Sequence, residues 1–465
     1  MLPVVALVGR PNVGKSTLFN HLTQTRNALV ADFPGLTRDR QYGRVTRGLR
    51  PFLVVDTGGI VDSFSEMDDQ SMRQVRVALD EADVILFLVD AREGLNAADE
   101  AITNQLRKTS KPVLLVANKT DGLDGEVVAA EFHRLGLGGQ PCPIAASHGT
   151  GVPELLEKVD ELLPPVEAGA EEEPVSAGIR IAVVGRPNVG KSTLVNRLLG
   201  EERVVVYDQP GTTRDSIYIP FERGGKQYTL IDTAGIRRRS RVGEGIEKFS
   251  VIKALQAIEK AHIVVYLIDA SEGVTDQDAN LLGMVLEIGR GLIIGLNKWD
   301  GLSPNQRDTV KRQIDLKLPF VDFADKHFLS ALHGTGVGKL LERVERIHQG
   351  AMQSLSSSRL TEILQQAQVT HQPPLVRGRR IKLKFAHQGG HNPPLIIIHG
   401  NQTDELPGAY KRYLMNAFRE ALNLEGSPIK LEFKGSENPF KGRKNPLTQR
   451  QVQKRRRLMR HVKKK

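Results

Sequence analysis

The sequence contains a single cysteine, Cys142, among its 465 residues. One thiol excludes an internal disulfide framework and a cysteine-rich zinc site. The twelve histidines are scattered, with no convincing His-x-x-x-His metal spacing. No apolar run approaches the roughly 20 residues that a membrane-spanning helix requires, so we expect no membrane partner.

The first eight residues are apolar, but they lack a basic leader and a small-residue cleavage site. They run directly into Gly9, which favours a first β-strand over a secretory signal. We therefore expect a cytoplasmic protein. The apolar fraction of 40% and the charged fraction of 26% are typical of a globular protein. The length predicts about three domains of roughly 150 residues each.

A net charge of +11 favours a polyanionic partner such as nucleic acid. The basic residues are unevenly distributed along the chain. The last 25 residues, 441–465, contain twelve lysines or arginines and no acidic residue. Such a block is commonly an interaction tail, and here it would contact RNA backbone without reading its sequence. A non-specific solubility tail is the alternative.

The chain contains a long internal repeat. Residues 9–17 and 185–193 have the same sequence, GRPNVGKST. Further on, 34–39 resembles 210–215, and an Asn-Lys-x-Asp element occurs in both halves. The period is too long for a solenoid, so the repeat indicates a duplicated domain.

Each copy alternates continuous apolar runs with helical stretches. Apolar strands separated by helices are typical of a parallel sheet covered on both faces. We therefore predict an α/β protein with two doubly wound, mostly parallel sheets. The runs are 4–9, 51–56, 84–90 and 112–118 in the first copy, and 179–185, 228–233, 263–269 and 292–297 in the second.

After about residue 350 the composition changes to that of a small α+β domain. The predicted strands are 381–388, 393–400 and 428–435, with a turn at Gly389-Gly390 and helices at 360–368 and 411–422. The predicted boundaries are a first nucleotide-binding domain at 1–162, an acidic linker at 163–178, a second nucleotide-binding domain at 179–350, the small domain at 351–440 and the basic tail at 441–465.

The pattern Gly-x-x-x-x-Gly-Lys-Ser, which follows an apolar strand in each copy, predicts a phosphate-binding loop. Backbone N–H groups of such a loop surround phosphates at the positive end of the next helix. We expect Lys15 and Lys191 to bridge the β- and γ-phosphates, and Ser16 and Ser192 to bind Mg²⁺. The predicted loop residues are Gly9, Arg10, Pro11, Asn12, Val13, Gly14, Lys15 and Ser16, and Gly185, Arg186, Pro187, Asn188, Val189, Gly190, Lys191 and Ser192.

The Asn-Lys-x-Asp element predicts that the base is guanine. A carboxylate accepts two parallel hydrogen bonds from the ring N–H and the exocyclic amine of guanine, and adenine offers no such pair. We expect Asp121 and Asp300 to make this contact, while Asn118 and Asn297 contact the other edge of the base and brace the loop. The predicted base-binding residues are Asn118, Lys119, Thr120 and Asp121, and Asn297, Lys298, Trp299 and Asp300.

A third element predicts a switch that senses the γ-phosphate. Asp56 and Asp232 end strands and would hold the Mg²⁺ shell, and Gly59 and Gly235 would contact the γ-phosphate. Thr37 and Thr213 would close over the Mg²⁺; Thr212 is a rival in the second copy, but Leu36 stands opposite it in the first. The remaining residues of this element are Thr57, Gly58 and Ile60, and Thr233, Ala234 and Ile236.

Ile60 and Ile236 occupy a position at which a glutamine would orient the attacking water. Isoleucine cannot do so, which predicts slow intrinsic hydrolysis or help from elsewhere. In several GTPases that lack this glutamine, an asparagine of the phosphate loop helps to bind K⁺. Asn12 and Asn188 are candidates for that role; alternatively, they only stabilise the turn of the loop.

A loop that braces the ribose and base is expected after the last strand of each copy. Ser330-Ala331-Leu332 fits this loop in the second copy. The first copy has Ala145-Ala146-Ser147, in which the leading serine is missing. We therefore predict slightly weaker bracing of the base at the first site.

The two GRPNVGKST loops, the paired Asn-Lys-x-Asp elements and the small C-terminal domain closely resemble the bacterial Der (EngA) GTPases. The resemblance covers nearly the whole chain. It implies Era-like GTP-binding domains, a K-homology-like domain, and a role in maturing the large (50S) ribosomal subunit on its rRNA. We also expect hydrolysis of GTP to GDP and phosphate with Mg²⁺, with Asn12 and Asn188 as a K⁺ candidate site. We expect a monomer.

The C-terminal domain departs from ordinary K-homology domains because it lacks their Gly-x-x-Gly loop. RNA contact through that loop is therefore not expected, and packing against the GTPase domains is the alternative. Arg237, Arg238, Arg239 and Arg241 lie just after the second switch element. They would contact phosphate backbone in a nucleotide-dependent way, or they form only a solvated charged loop.

Two other functional interpretations remain open. The chain is a signalling or trafficking switch that acts on protein partners, although it lacks lipidation motifs and a basic amphipathic helix. Alternatively, one nucleotide-binding domain is a sensor that does not hydrolyse GTP and that regulates the other.

Overall fold

The computed structural model describes residues 2–23, 42–56, 79, 82–124, 127, 130–165, 178–200, 204–206, 218–231, 251–376 and 379–435. Most of the predicted acidic linker and the whole basic tail lie outside these residues. Among the described residues, no helix is both long enough and apolar enough to cross a membrane.

The first nucleotide-binding unit contains six strands and three helices among its described residues. Its strands are β1 (Val4–Val8), β2 (Tyr42–Val45), β3 (Phe52–Asp56), β4 (Val84–Asp90), β5 (Val113–Asn118) and β6 (Cys142–Pro143). Its helices are α1 (Lys15–Thr23), α2 (Ala97–Leu106) and α3 (Val152–Leu162).

The second unit repeats this arrangement. Its strands are β7 (Ile179–Gly185), β8 (Val204–Val206), β9 (Tyr218–Arg223), β10 (Lys226–Ile231), β11 (Ile263–Asp269), β12 (Gly291–Asn297) and β13 (Asp325–Phe328). Its helices are α4 (Lys191–Leu199), α5 (Val251–Lys260), α6 (Asp276–Ile288), α7 (Pro304–Lys317) and α8 (Gly338–Met352).

Each unit is built on one twisted sheet. The strand order is β2-β3-β1-β4-β5-β6 in the first sheet and β13-β12-β11-β7-β10-β9-β8 in the second. All neighbours pair in parallel except β2 with β3, β9 with β10 and β8 with β9. The central strands β4 and β11 are buried along their whole length, as continuous apolar runs predict. The predicted α/β class with doubly wound, mostly parallel sheets is confirmed.

The helix starts that border the sites have clear local causes. Asn96 caps α2 and Thr275 caps α6, and each forms a capping box with the aspartate three residues on, Asp99 or Asp278. Both aspartates are fully buried. They are therefore fixed by backbone hydrogen bonds in positions from which they can also pair with cations.

The C-terminal unit is a three-stranded sheet covered on one face by two helices. Helix α9 (Ser357–Thr370) comes first; β14 (Leu375–Val376) and β15 (Arg379–Arg380) form a small hairpin. The main sheet has the order β16-β17-β18, antiparallel and then parallel. Its strands are β16 (Lys382–Gly390), β17 (Leu395–Asn401) and β18 (Lys430–Gly435), and the second helix is α10 (Gly408–Ala421).

The predicted elements of this unit are confirmed, but the predicted turn at Gly389-Gly390 is wrong. Both glycines belong to β16, and the chain reverses at residues 391–394 instead. This turn contains a cis peptide bond between Asn392 and Pro393, and Asn392 has a φ of 44°. Asparagine and proline provide the turn geometry here, so the glycines are not needed for it.

The first and second units share an apolar contact. Ile252 and Leu255 of α5 lie in one buried cluster with Val4, Leu53 and Val55 of the first sheet. Spacings of three residues place such positions on one face of a helix. One helix therefore buries apolar surface of both nucleotide-binding units.

The second and C-terminal units are joined through the backbone. The N–H of Leu292 donates to the carbonyl of Gly426 at 2.7 Å, and the N–H of Gly426 donates to the carbonyl of Phe323 at 2.8 Å. Gly426 has a φ of +69°, and a Cβ there would lie 2.4 Å from Ile347. Only glycine fits this junction, because both the conformation and the space exclude a side chain.

A histidine beneath the second sheet predicts how stability depends on pH. Burial first, and then the nearby Arg180, His348 and Arg290, lower the pKa of His262 to about 4. The Nδ1 atom accepts the backbone N–H of Arg180 at 3.2 Å. The folded protein therefore favours the neutral ring, whereas an unfolded histidine takes up a proton near pH 6.5.

We predict that the second unit loses stability as the pH falls from about 6.5 towards 4, because the unfolded state binds the proton first. The loss at pH 5 is about 2 kcal/mol relative to pH 7. Urea unfolding followed by the fluorescence of Trp299, the single tryptophan, measures it in the wild type and in His262→Gln. The variant should show a flatter pH dependence over this range. Equal pH slopes in the two proteins would contradict the assignment to His262.

Candidate nucleotide-binding sites

The predicted phosphate-binding loops connect β1 to α1 and β7 to α4. Asn12 and Asn188 adopt left-handed conformations, with φ of 66° and 62°. Asparagine tolerates this region better than most residues, so both loops turn at the same place. The backbone N–H groups that follow lie at the start of a helix, where an anion is favoured.

The second glycine of each loop lies against an asparagine that ends β5 or β12, two positions along the sheet from the strand that precedes the loop. A Cβ on Gly14 would lie 2.3 Å from Nδ2 of Asn118, and a Cβ on Gly190 would lie 2.2 Å from Nδ2 of Asn297. Both glycines also have φ near +97°, at +96° and +97°. Any side chain would therefore separate the phosphate loop from the asparagine.

That asparagine joins three segments in each unit. Its Nδ2 donates to the phosphate loop, from Asn118 to the carbonyl of Val13 at 2.8 Å and from Asn297 to the carbonyl of Val189 at 2.7 Å. Its Oδ1 accepts the backbone N–H of Ala146 at 3.0 Å or of Ala331 at 2.9 Å. The phosphate loop, the end of β5 or β12, and the expected base-bracing loop are thus held together by one buried carboxamide.

The loop lysines are almost completely buried and contact their own loops. The Nζ of Lys15 donates to the carbonyls of Gly9 and Arg10, both at 2.8 Å. The Nζ of Lys191 donates to the carbonyl of Arg186 at 2.7 Å. Each ammonium group is therefore held inside the turn that would surround the phosphates, where its charge can be shared with them.

The first site shows a serine and an aspartate suited to Mg²⁺. The Oγ of Ser16 donates to Oδ2 of Asp56 at 2.8 Å, and Asp56 is buried. Mg²⁺ prefers such oxygen ligands and takes few from the protein, with phosphate oxygens and water completing its shell. The two side chains fit the ion. In the second site Ser192 begins α4 in the same way, but Asp232 lies outside the described residues.

At the base end, a lysine in left-handed conformation pairs with the aspartate that ends the neighbouring strand. Lys119 contacts Asp90 at 2.6 Å and Lys298 contacts Asp269 at 2.5 Å. Burial raises the pKa of Asp90 and of Asp269, but the hydrogen bonds they accept outweigh it and bring both below the ordinary value. The carboxylates stay ionised and fix the lysines along the base loop.

The two base-reading aspartates have different supports. A hydrogen bond from Ser330, and secondarily the charges of His333 and Arg307, lower the pKa of Asp300. In the first unit Ala145, which has no hydroxyl, stands at the position of Ser330, and Oδ2 of Asp121 lies 3.7 Å from Nη2 of Arg92. The missing serine of the first copy therefore removes a hydrogen bond to the base-reading carboxylate itself.

The third residue of each base element makes a different contact. The Oγ1 of Thr120 donates to the carbonyl of Ile144 at 2.9 Å. Trp299 packs its ring against Phe328, with centroids 4.3 Å apart, and Arg307 lies 5.7 Å from its ring centroid. Both residues tie the base loop to the strand or loop that follows.

Two pairs of contacts at these sites were not predicted from the sequence, and the first involves Arg10 and Arg186, which were predicted only as loop residues. Arg10 pairs with Glu93 at 2.5 Å and Asp99 at 3.4 Å, and Arg186 pairs with Asp278 at 3.1 Å. These contacts connect each phosphate loop to the capping box of α2 or α6. The repetition of arginine at the second loop position in both copies was the signal that could have revealed them.

The second missed pair is histidine. The Nε2 of His148 lies 3.4 Å from Asp121, and the Nε2 of His333 lies 3.2 Å from Asp300. Both rings are largely exposed, and both belong to an HGTG sequence after the base-bracing loop. The sequence shows the repeated histidine, but it does not show that the loop folds back onto the aspartate.

The predicted switch residues lie outside the described residues. They are Thr37, Thr57, Gly58, Gly59 and Ile60 in the first copy, and Thr213, Asp232, Thr233, Ala234, Gly235 and Ile236 in the second. The arginines at 237–239 and 241 also lie outside them. Their roles stay predictions.

The difference between Ser330 in the second unit and Ala145 in the first predicts opposite effects of exchanging the two residues on GDP release. We expect Ser330→Ala to speed GDP release from the second site roughly fivefold, because Asp300 loses a hydrogen bond that orients it. Ala145→Ser should slow release from the first site by a similar factor. Release of a fluorescent GDP analogue reports each site separately when the other phosphate loop carries Lys15→Ala or Lys191→Ala. Ser147→Ala, beside the first position, is the matched control; unchanged release in both test variants would refute the assignment.

Comparisons with known proteins agree with the geometry. A family model described as "50S ribosome-binding GTPase" matches residues 4–119 and again 180–298. A model described as "KH-domain-like of EngA bacterial GTPase enzymes, C-terminal" matches residues 355–434. The repeated match covers both phosphate loops and both base elements.

Several curated relatives match along their full length. The chain is 70% identical over 464 residues to a GTPase Der from Methylococcus capsulatus, and the match covers 100% of both chains. It is 63% identical to a GTPase Der from Thioalkalivibrio sulfidiphilus and 56% identical to one from Escherichia coli, again over 100% of both chains.

Among solved structures, Era in complex with MgGDPNP and nucleotides 1506–1542 of 16S ribosomal RNA aligns with a TM-score of 0.28 at 25% identity. That alignment covers 55% of this chain and 92% of Era. The full-length curated matches and the repeated GTPase model are far more specific. On their strength, and with two braced phosphate loops in one chain, the protein belongs to the GTPase Der family and is a GTP-hydrolysing enzyme with tandem GTPase domains.

Proposed function

We propose that this enzyme hydrolyses GTP at both sites and acts as a nucleotide-switched factor in assembly of the large (50S) ribosomal subunit, bound to its rRNA. The observation that supports two working sites is the repeated asparagine bridge, which differs by no more than 0.1 Å between the units in each of its two hydrogen bonds. The same bridge holds the phosphate loop against the expected base-bracing loop in both units, which supports nucleotide binding at both.

The residues that bind GTP act through position and charge. Lys15 and Lys191 leave the loop carbonyls and contact the β- and γ-phosphate oxygens, where negative charge develops as the terminal phosphoryl group is transferred to water. Asp121 and Asp300 accept the two guanine N–H donors. Mg²⁺ would neutralise charge on the same phosphate oxygens, held by Ser16 and Asp56 in the first site and by Ser192 and Asp232 in the second.

The switch residues complete each site in this proposal. Thr37 and Thr213 close over the metal, and the backbone N–H groups of Gly59 and Gly235 contact the γ-phosphate, so that its loss releases both loops. No glutamine follows these glycines to orient water; K⁺ held with the help of Asn12 and Asn188 would instead supply positive charge beside the phosphates. The left-handed conformation of both asparagines fits a K⁺-binding loop. It is equally explained if the asparagines only stabilise the turn of the loop.

The ribosomal part of the proposal is supported by the matched family and by charge. The family model that matches both units is described as ribosome-binding, and the chain carries a net charge of +11. An excess of lysine and arginine favours the phosphate backbone of RNA. Action on ribosomal subunits implies a cytoplasmic location, and a monomer suffices for the proposed role.

Two active sites predict a specific pattern of turnover. Lys15→Ala and Lys191→Ala should each remove one site's hydrolysis, on the order of 100-fold at that site, while the other site continues. The double variant should show no turnover. If either single variant abolished all turnover while the other kept all of it, one site would be a sensor. Repeating both single variants in Na⁺ instead of K⁺ tests the cation; equal rates in the two salts would exclude K⁺ assistance.

Co-sedimentation with purified 30S and 50S subunits tests the ribosomal role. We expect binding to the 50S subunit with a non-hydrolysable GTP analogue and little binding with GDP, because only the γ-phosphate orders the switch loops. The Lys15→Ala, Lys191→Ala double variant is the control for nucleotide dependence. Absence of 50S binding in both nucleotide states would refute the ribosomal role and favour a switch that acts on protein partners.

A further inference from the structure

The sheet of the C-terminal unit has one covered face and one open face. Leu364 of α9 and Leu414 of α10 pack with Ile396 and Ile398 of β17 in the covered face. Alternation along a strand directs the residues between them to the other side. His399 therefore belongs to the open face, opposite the two helices.

Three aromatic or imidazole rings lie side by side on this open face. Phe385 is stacked on His399, with ring centroids 4.5 Å apart and an interplanar angle of 9°. His387 lies 5.1 Å from His399 at an interplanar angle of 24°, and 6.4 Å from Phe385 at 26°, so the three rings form a compact cluster. Strand pairing brings them together, because Phe385 pairs with His399 across β16 and β17 and His387 follows two residues further along β16. We call these three residues the ring ladder.

The phenyl ring of Phe385 is exposed. Phe385 keeps 46% of its surface accessible, and it is the one aromatic residue among the exposed large apolar side chains of the described chain. Cross-strand stacking accounts for the contact between the rings. It does not account for a phenyl face left in water, since Phe is ordinarily buried.

The charges beside the ring ladder are mostly positive. Strands β16, β17 and β18 carry four lysines and one acidic residue, Glu432. Lys434 pairs in register with His399 and is exposed, as is Lys382. Burial, then His387 and Lys434, lower the pKa of His399. That ring is neutral at physiological pH and offers an uncharged face for stacking, while the lysines provide the positive charge.

We propose that the ring ladder of Phe385, His399 and His387 is a stacking platform for unpaired RNA bases, with Lys434 and Lys382 contacting the adjoining phosphates. This inference rests on the proposed function in one respect, because the RNA it would meet is that of the ribosomal subunit. It assigns RNA contact to the open sheet face, which replaces the absent Gly-x-x-Gly loop.

RNA fits this surface better than a protein partner does. An exposed aromatic ring accepts bases through their π faces, which every base possesses. Phosphates between successive bases then lie within reach of lysines on the same strands. A protein partner would need a larger continuous apolar patch, whereas Phe385 is bordered by lysines and imidazoles.

The test uses the full-length protein and a short single-stranded RNA that contains 2-aminopurine, whose fluorescence is quenched by stacking. We expect the wild type to bind and quench the probe. Phe385→Leu, which keeps apolar bulk but removes the ring, should weaken binding roughly tenfold and abolish the quench. Phe385→Tyr should retain both. Lys434→Gln should weaken binding, reduce its salt dependence by about one unit of slope, and keep the quench.

Controls separate the platform from other basic regions. Val369→Ala changes an exposed apolar residue of α9, on the covered side of the sheet, and should leave RNA binding unchanged. Lys339→Gln on α8, which changes an exposed lysine, is the matched control for charge. All variants retain the basic tail, so its contribution cancels between them. GTP turnover in the absence of RNA should be the same in every variant.

The possible outcomes either support or overturn the platform. Absence of a quench in the wild type overturns it, as does equal binding by the wild type and Phe385→Leu. Loss of 50S binding by Phe385→Leu with unchanged binding to the RNA probe assigns the face to a ribosomal protein and also overturns it. Failure of the wild type to bind 50S subunits refutes the ribosomal role instead, and the probe still decides on the platform.

Discussion

The buried carboxamide of Asn118, and its counterpart Asn297, is the interaction on which each site depends. One side chain donates to the phosphate loop and accepts from the loop that braces the base. A buried polar group is costly unless its hydrogen bonds are made, so the three segments hold one another in a single arrangement. The register of the parallel strands sets this up, because Asp90 lies beside Asn118 at the same sheet edge. The phosphate end and the base end of the nucleotide are therefore positioned by one strand.

Because the nucleotide-binding domain is duplicated, the two units of the chain can be compared with each other. Features that both units retain are those that position the nucleotide: the left-handed asparagine, the lysine inside the loop and the arginine on the capping-box aspartate. Features that differ lie around the base-reading carboxylate, where Ser330 in one unit corresponds to Ala145 in the other. Ser330 donates a hydrogen bond to the carboxylate of Asp300, which is exposed. The hydroxyl therefore affects mainly the orientation of that carboxylate. The two sites can thus share a mechanism and differ in how long they hold the nucleotide.

The sequence predicted the central strands because long apolar runs can be buried only between two layers of helices. Short edge strands such as β2 and β8 escaped prediction, since four or three residues carry too little pattern. The role of Asn118 and Asn297 in bracing the loop was predicted, because both belong to the recognisable Asn-Lys-x-Asp element. The His148 and His333 contacts were not, since they depend on the path of a loop. The predicted turn at Gly389-Gly390 was wrong because glycine is also tolerated within a strand. The neighbouring pair Asn392-Pro393 forms the turn instead.

The junction of the three units shows why their packing could not be read from the sequence. Arg44 of β2 pairs with Glu259 of α5 at 2.8 Å, and Arg290 donates to the carbonyls of Glu259 and Asn392. Burial, together with the charges of Arg44 and Arg290, lowers the pKa of Lys430. Burial raises the pKa of Glu259, and the same two arginines offset part of that increase. Three cations thus lie near two carboxylates, Glu259 beside Arg44 and Arg290 and Glu287 beside Lys430, and burial makes this excess of positive charge costly. The apolar cluster around Ile252 and Leu255 must supply the attraction, and each of its members looks like an ordinary core residue of its own domain.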